Sequence, residues 1–174
     1  VGGSNPLAPT SIYKSFRRGM SDRIISVIGG SAASAESCAH ARKLGGMLAE
    51  AGYTVICGGG TGVMEAVCRG AKEKGGRTVG ILPGDDPSEA NRWVDTAVAT
   101  GMGTARNRII ALTGEAVCAI DGGCGTLSEI AYALQAGKPV CAMGRWSEIE
   151  GVKKVDSVES AMQYVKKRTR GEGC

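Results

Sequence analysis

The sequence predicts an α/β fold built on a single doubly wound, mostly parallel sheet with helices on both faces. Three observations carry that expectation. Short apolar runs alternate with helical stretches along most of the chain. The runs are continuous Val, Ile, Ala and Cys without polar alternation, the pattern of strands covered on both faces. Glycine-rich segments recur where a strand hands over to a helix, and in such sheets the carboxyl edge of the strands is where ligands bind.

The elements follow in order. Arg23 to Ile28 reads as a strand ending in Gly29-Gly30-Ser31, followed by a helix from Ser34 to Ala51 and a second strand from Tyr53 to Cys57. Gly58-Gly59-Gly60-Thr61-Gly62 leads into a helix over Gly62 to Lys74. Arg77 to Leu82 is a strand closed by Pro83-Gly84, and Val94 to Ala99 is another. Thr104 to Leu112 is helical, Ala116 to Ile120 is a strand, and Gly122-Gly123-Cys124-Gly125-Thr126 opens a helix over Thr126 to Gln135. Pro139 to Met143 is the last clear strand, and Asp156 and Ser157 are placed to cap a closing helix through Lys167. Right-handed crossovers join such units, so the chain reads as Rossmann-like.

Residues 1–19 stand apart. They hold Pro6, Pro9, three glycines and the basic Lys14, Arg17 and Arg18 without an acid, which suggests a flexible leader or tag-like extension. The alternative is a basic arm docking on another subunit through Tyr13 and Phe16. Residues 20–170 form one domain in this reading, and 171–174 a tail.

The length of 174 residues suits one domain, and 43% hydrophobic with 22% charged residues is a soluble globular balance. A net charge of +4, with two Trp, four Tyr and one Phe to stack on bases, argues against a general nucleic-acid binder. Cys57, Cys118 and Cys141 lie in apolar strand runs and no CxxC pair occurs, so buried reduced thiols are expected. His40 is the single histidine and has no ligand-spaced partner, so no metal site is expected. No apolar run approaches the roughly 20 residues of a membrane span, and no signal-peptide core is evident. A cytoplasmic location without a membrane partner is the resulting expectation.

Both glycine loops enter helices, and a helix N-terminus approached through glycines presents free N–H groups and a positive dipole end to a phosphate. The spacing does not fit a dinucleotide fingerprint: the sixth residue counted from Gly58 is Val63, and from Gly60 it is Glu65. A Walker motif fails as well, because Gly137-Lys138 is followed by Pro139 and position 132 is Tyr132. The expected ligand therefore carries a monophosphate. For either loop alone, a tight turn with close packing explains the glycines equally well.

Arg106 and Arg108 are two residues apart, about 200° around a helix, so only one can face a cleft. That one could grip a phosphate or carboxylate with its two-pronged fork. Glu129 has two readings. With Thr126 it spells a Thr-x-x-Glu capping box, in which the carboxylate returns to the Thr126 amide. Alternatively it faces a ligand's sugar and stabilises an oxocarbenium-like centre during N-glycosidic cleavage.

Cys57 to Met64 (CGGGTGVM), Gly80 to Gly84 (GILPG), Gly103 to Arg108 (GTARNR) and Asp121 to Glu129 (DGGCGTLSE), closed by Ala136 to Val140 (AGKPV), together resemble one superfamily. It is the "lysine decarboxylase-like" group that contains the LOG cytokinin-activating phosphoribohydrolases and the molybdenum cofactor carrier proteins. The resemblance implies the doubly wound fold and, in a hydrolase, catalytic roles for Arg106 and Glu129. It departs from the hydrolase pattern at Asp121, where those enzymes carry proline, and at Ala105-Arg106-Asn107, where they carry His-x-Arg-Lys. These departures, with the short segment from Pro83 to Trp93, resemble the carrier branch.

The expected function is binding of a phosphate-bearing, nucleotide-like molecule by a molybdenum cofactor carrier-like protein. The alternative is a LOG-like nucleoside 5'-monophosphate phosphoribohydrolase releasing base and ribose 5-phosphate; amino-acid decarboxylation is not expected. Gly122, Gly123, Cys124, Gly125 and Thr126 would hold the phosphate, assisted by Gly59, Gly60, Thr61 and Gly62, with Arg106 and Asn107 beside them. Gly29, Gly30 and Ser31 with Pro83 and Gly84 would wall the ring or base. No cofactor is required, the molybdenum cofactor or a nucleoside monophosphate being the bound ligand, and the resemblance implies a homo-oligomer, dimer or tetramer.

Overall fold

The computed structural model describes residues 23–169. The expected leader and tail lie outside them. Seven strands form one sheet: β1 Arg23–Gly29, β2 Tyr53–Cys57, β3 Thr78–Leu82, β4 Thr96–Ala99, β5 Ala116–Ile120, β6 Val140–Met143 and β7 Lys153–Lys154. Their spatial order is β4-β3-β2-β1-β5-β6-β7, and every described pairing is parallel. The helices are α1 Ala35–Glu50, α2 Val63–Glu73, α3 Asn107–Thr113, α4 Cys124–Gln135 and α5 Val158–Thr169.

Alternation along each strand divides the core into two layers. Ile25 and Val27 of β1, with Cys118 and Ile120 of β5, face α1, α2 and α5 through Leu44, Leu48, Val67, Met162 and Val165. Ile28, Val117 and Ala119 face the other way, onto Ile110 of α3 and Ile130 of α4. Both sheet faces are therefore dry, which is why the strands read as unbroken apolar runs.

Two helix boundaries differ from expectation in ways that bear on the site, and one strand is new. The segment from Gly103 to Arg106 is a 3-10 turn, and α3 begins only at Asn107. Helix α4 starts at Cys124, two residues before the expected Thr126, because Gly122 at φ +99° turns the chain sharply enough for the helix to begin at once. The two-residue β7 was not expected; two exposed lysines carry no apolar signal. Ser157 does cap α5: its Oγ accepts the Ser160 N–H at 3.1 Å.

Glycines also serve away from loops. Gly45 in α1 and Gly70 in α2 sit where the helices cross so closely that a Cβ on either would run into the partner's backbone, at Val67 O and Arg42 O respectively.

Candidate ligand-binding site

Strands β1 and β5 are neighbours whose chains leave the sheet toward opposite faces, β1 into α1 and β5 into α4. The split at their carboxyl ends is the switch-point crevice of a doubly wound sheet. An open cleft of about 790 Å³ lies there, within the range usual for small-molecule sites.

The floor is made by two backbones in contact. A Cβ at Gly29 would lie 2.6 Å from Ile120 O, and one at Gly30 would lie 3.3 Å from Gly122 Cα. Only glycines let the end of β1 press against the loop after β5. Gly29, Gly30 and Ser31 line the cleft from one side, and Gly122, Gly123, Gly125 and Thr126 from the other.

The two glycine loops are not equivalent. At α4 the first intrahelical bond runs from the Leu127 N–H to Gly123 O at 3.1 Å, so the amides of Cys124, Gly125 and Thr126 precede the helical ladder. Gly123 provides no side-chain cap and the first turn holds no acid, so the positive end of the dipole is uncompensated. At α2, by contrast, the Val63 N–H already donates to Gly30 O at 3.0 Å and Glu65 occupies the first turn. Thr61 donates its hydroxyl to Ser31 O at 3.1 Å, while Gly59 O and Gly60 O accept from the Asn91 side chain. Gly59, Gly60, Thr61 and Gly62 lie outside the cleft lining, as do Gly84 and Cys124, whereas Pro83 lines it.

The first loop instead makes room for Arg106. A Cβ at Gly58 would lie 2.8 Å from both terminal nitrogens of that guanidinium. Arg106 ends the 3-10 turn, which is tied to the end of β3 by the Gly103 N–H donating to Pro83 O at 2.9 Å. Its side chain is only 13% exposed, and its Nε is buried without a hydrogen-bond partner. Arg108 points elsewhere, its guanidinium 5.6 Å from the Tyr132 ring centre. Of the two arginines, Arg106 lines the cleft and Arg108 does not, although Arg106 lies in a 3-10 turn and not in the helix that the spacing argument assumed.

Glu129 is buried in the second turn of α4, with Oε1 3.7 Å from Arg106 Nη1. The expected capping box does not form, because α4 starts two residues early and leaves Thr126 inside the helix. Nor is Glu129 in the first turn, so it does not oppose an anion there. Burial pushes its carboxyl up to about 7 against the pull of Arg106, and burial likewise lowers the Arg106 guanidinium. At 3.7 Å the pair is too long for a hydrogen bond, so the attraction relieves each group of only part of the cost of leaving water. Near neutral pH Glu129 is present in both protonation states, able to donate a proton or to hold negative charge.

Asn107 is buried at the start of α3. Its Nδ2 donates to Ser128 Oγ at 3.1 Å and approaches Gly125 O at 3.4 Å, which fixes the first turn of α4.

Ala32, Met64, Thr104 and two charged residues of the lining, Asp121 and Arg145, were not expected as site residues. Asp121 holds φ +46°, the left-handed region. Its carboxylate accepts from the Ser37 hydroxyl and from the Arg145 N–H at 3.2 Å. Arg145 follows β6 and lines the same cleft. Its neighbour Trp146 donates its indole N–H to Gly122 O at 3.1 Å. The available signal was Gly144-Arg145 directly after a strand, at the same sheet edge as the other loops.

Among the described residues no group of three or more His, Cys, Asp or Glu side chains is placed to hold a metal, and no helix is long and apolar enough to cross a membrane. Cys57, Cys118 and Cys141 are buried and free.

A Rossmann-like sheet with an uncompensated helix N-terminus and a buried arginine at its switch point defines a small-ligand-binding protein of the LOG-like class. The chain belongs to the SLOG cluster4 family, which matches residues 22–170. A protein of Archaeoglobus fulgidus is 42% identical over 140 residues, spanning 80% of this chain and 92% of its own. The cytokinin riboside 5'-monophosphate phosphoribohydrolase of Mycobacterium tuberculosis is 30% identical over 128 residues, 68% of each chain. Among solved structures, the molybdenum cofactor binding protein of Rippkaea orientalis superposes with a TM-score of 0.79 at 36% identity, covering 84% of this chain and 97% of its own. The molybdenum cofactor carrier protein of Chlamydomonas reinhardtii gives 0.79 at 35%, covering 86% and 99%.

Proposed function

We propose that the protein binds a phosphate-bearing small molecule without transforming it, as a molybdenum cofactor carrier-like protein. The phosphate sits on the amides of Gly123 to Thr126, and Arg106 completes its shell. The observation that carries this reading is the buried Arg106 Nε without a partner, on a guanidinium held 3.7 Å from Glu129 beside the uncapped start of α4. An incoming anion satisfies both groups at once. A phosphorylated pterin fits these features: its phosphate matches the amides and Arg106, and a cleft of about 790 Å³ has space for the ring system.

Asp121 favours carrying over cleaving. Proline holds φ near −65°, so the proline of the hydrolase pattern cannot occupy a position at φ +46°. The loop that cradles the phosphate follows a different path from one built on Pro-Gly-Gly. Protein purified from cells that make the cofactor, then oxidised, is expected to release a fluorescent pterin in near-equal amount, and Arg106→Ala to release far less. Absence of saturable binding overturns this reading.

The second reading, nucleoside monophosphate hydrolysis, draws on the Arg106–Glu129 pair and on the Mycobacterium tuberculosis relative. Incubation with AMP then yields ribose 5-phosphate with wild type and none with Glu129→Ala; no release with any nucleoside monophosphate rules it out. In either case the free cysteines suit a reducing, cytoplasmic setting. The exposed Met102, Ile109 and Leu127 suit a homo-oligomer.

A further inference from the structure

Arg145 is the second cation of the cleft lining, an exposed residue whose loop is fixed by its own backbone and by its neighbour. Its N–H is bound by the Asp121 carboxylate at 3.2 Å. A Cβ on Gly144, at φ +79°, would collide with that same carboxylate, so the glycine allows the loop to close on Asp121. Trp146, bonded to Gly122 O, offers its ring to the Arg145 guanidinium 4.6 Å away. The β6–β7 loop is thereby fastened by two hydrogen bonds to the loop that leads into α4. Stacking on an indole restricts a guanidinium without using its donors. No ion pair with an acid is formed by Arg145 among the described residues, and the two carboxylates of the lining are engaged: Asp121 with Ser37 and the Arg145 amide, Glu129 with Arg106.

Two arginines, reached from opposite sides of the switch point, thus line one cleft that has one uncapped helix end. Arg106 stands on the β3 side and belongs to the phosphate. We infer that Arg145, on the β6 side, is a specificity residue for a second anionic group, so that the preferred ligand carries two separated negative centres rather than a lone phosphate. The inference rests on the proposed phosphate site at α4 and adds the class of ligand that fills the rest of the cleft.

The test compares 5'-AMP with adenosine 3',5'-bisphosphate by calorimetric titration, alongside inorganic phosphate followed by phosphorus NMR line broadening. Wild type is expected to prefer the bisphosphate by about tenfold, the size of one charge-assisted hydrogen bond. Arg145→Ala abolishes that preference and leaves AMP affinity within about twofold, while Arg145→Lys retains part of it. An unchanged preference in Arg145→Ala overturns the inference, as does an equal loss for both nucleotides. Failure of the underlying phosphate reading looks different: inorganic phosphate is then not broadened by wild type, or is broadened equally by Arg106→Ala, and the inference falls with it. Thermal melting of both Arg145 variants separates a binding effect from loss of fold.

Discussion

Arg106 Nη1 and Glu129 Oε1 lie 3.7 Å apart, close enough to attract and too far to share a proton. The side chains are 13% and 8% exposed, so both ions have left most of their water for an interaction that does not repay it in full. An anion entering the cleft meets an arginine not yet neutralised. The pair therefore adds little to stability, and under the proposed function it keeps the arginine ready for an anionic ligand.

Glu129 gives the first prediction, a pH dependence of stability. Its carboxyl is raised by burial to about 7 in the folded protein, from 4.5 when unfolded. The folded state then holds more protons between those values, so stability falls as pH rises from about 4.5 to 7 and levels off above. Glu129→Gln removes this dependence. Its melting temperature relative to wild type is expected to climb between pH 5 and 8, by a few degrees for each kcal/mol gained in a chain of this size. A constant difference across that range refutes the buried-carboxyl account.

Arg106 gives the second. Arg106→Ala removes the buried side-chain cation of the cleft and leaves Glu129 buried alone. Affinity for a phosphate-bearing ligand is expected to fall at least about tenfold, the scale of a lost hydrogen bond to a charged group. Arg106→Lys recovers less than half of that in free energy, since an ammonium cannot reproduce the planar fork. Calorimetry on the two variants decides it.

Asp121 gives the third. Asp121→Pro is expected to destabilise by more than about 1 kcal/mol, because the ring cannot reach φ +46°. It should weaken ligand binding as well, since the loop that faces the proposed phosphate position must move. Asp121→Gly keeps the backbone and loses only the bonds to Ser37 and Arg145, so it melts higher than Asp121→Pro. Equal melting temperatures would show that the left-handed turn does not matter.

The sheet was legible because both its faces are buried and its strands are unbroken runs of small aliphatic residues; β7, two exposed lysines, carried no such signal. Arg106 was reachable from the family resemblance; the spacing argument assumed a helix through both arginines, whereas Arg106 lies in the 3-10 turn and Arg108 lies against Tyr132. What sequence could not separate was the two glycine loops. Gly-Gly-Gly-Thr-Gly and Gly-Gly-Cys-Gly-Thr look alike, and only tertiary contacts show that the first yields space to Arg106 while the second leaves its amides free. Arg145 was hidden for a similar reason, since its place in the cleft depends on a loop closing back onto Asp121.

The helical glycines give the last prediction, in which two magnitudes compete. Alanine in place of glycine inside a helix ordinarily stabilises by about 1 kcal/mol. At Gly70 the added methyl would strike the backbone oxygen of Arg42, which cannot swing aside, so helices α1 and α2 must separate at an overpacking cost of about 1–3 kcal/mol. At Gly46 the nearest atom is the flexible Lys74 side chain at 3.4 Å, an ordinary contact. Gly70→Ala is therefore expected to lower the melting temperature while Gly46→Ala leaves it unchanged or raises it. Because α2 begins at the loop under Arg106, the Gly70 variant should also weaken ligand binding, and the Gly46 variant should not. Denaturation and titration of this matched pair would expose a wrong crossing geometry at once, since a looser packing of α1 on α2 makes both substitutions stabilising.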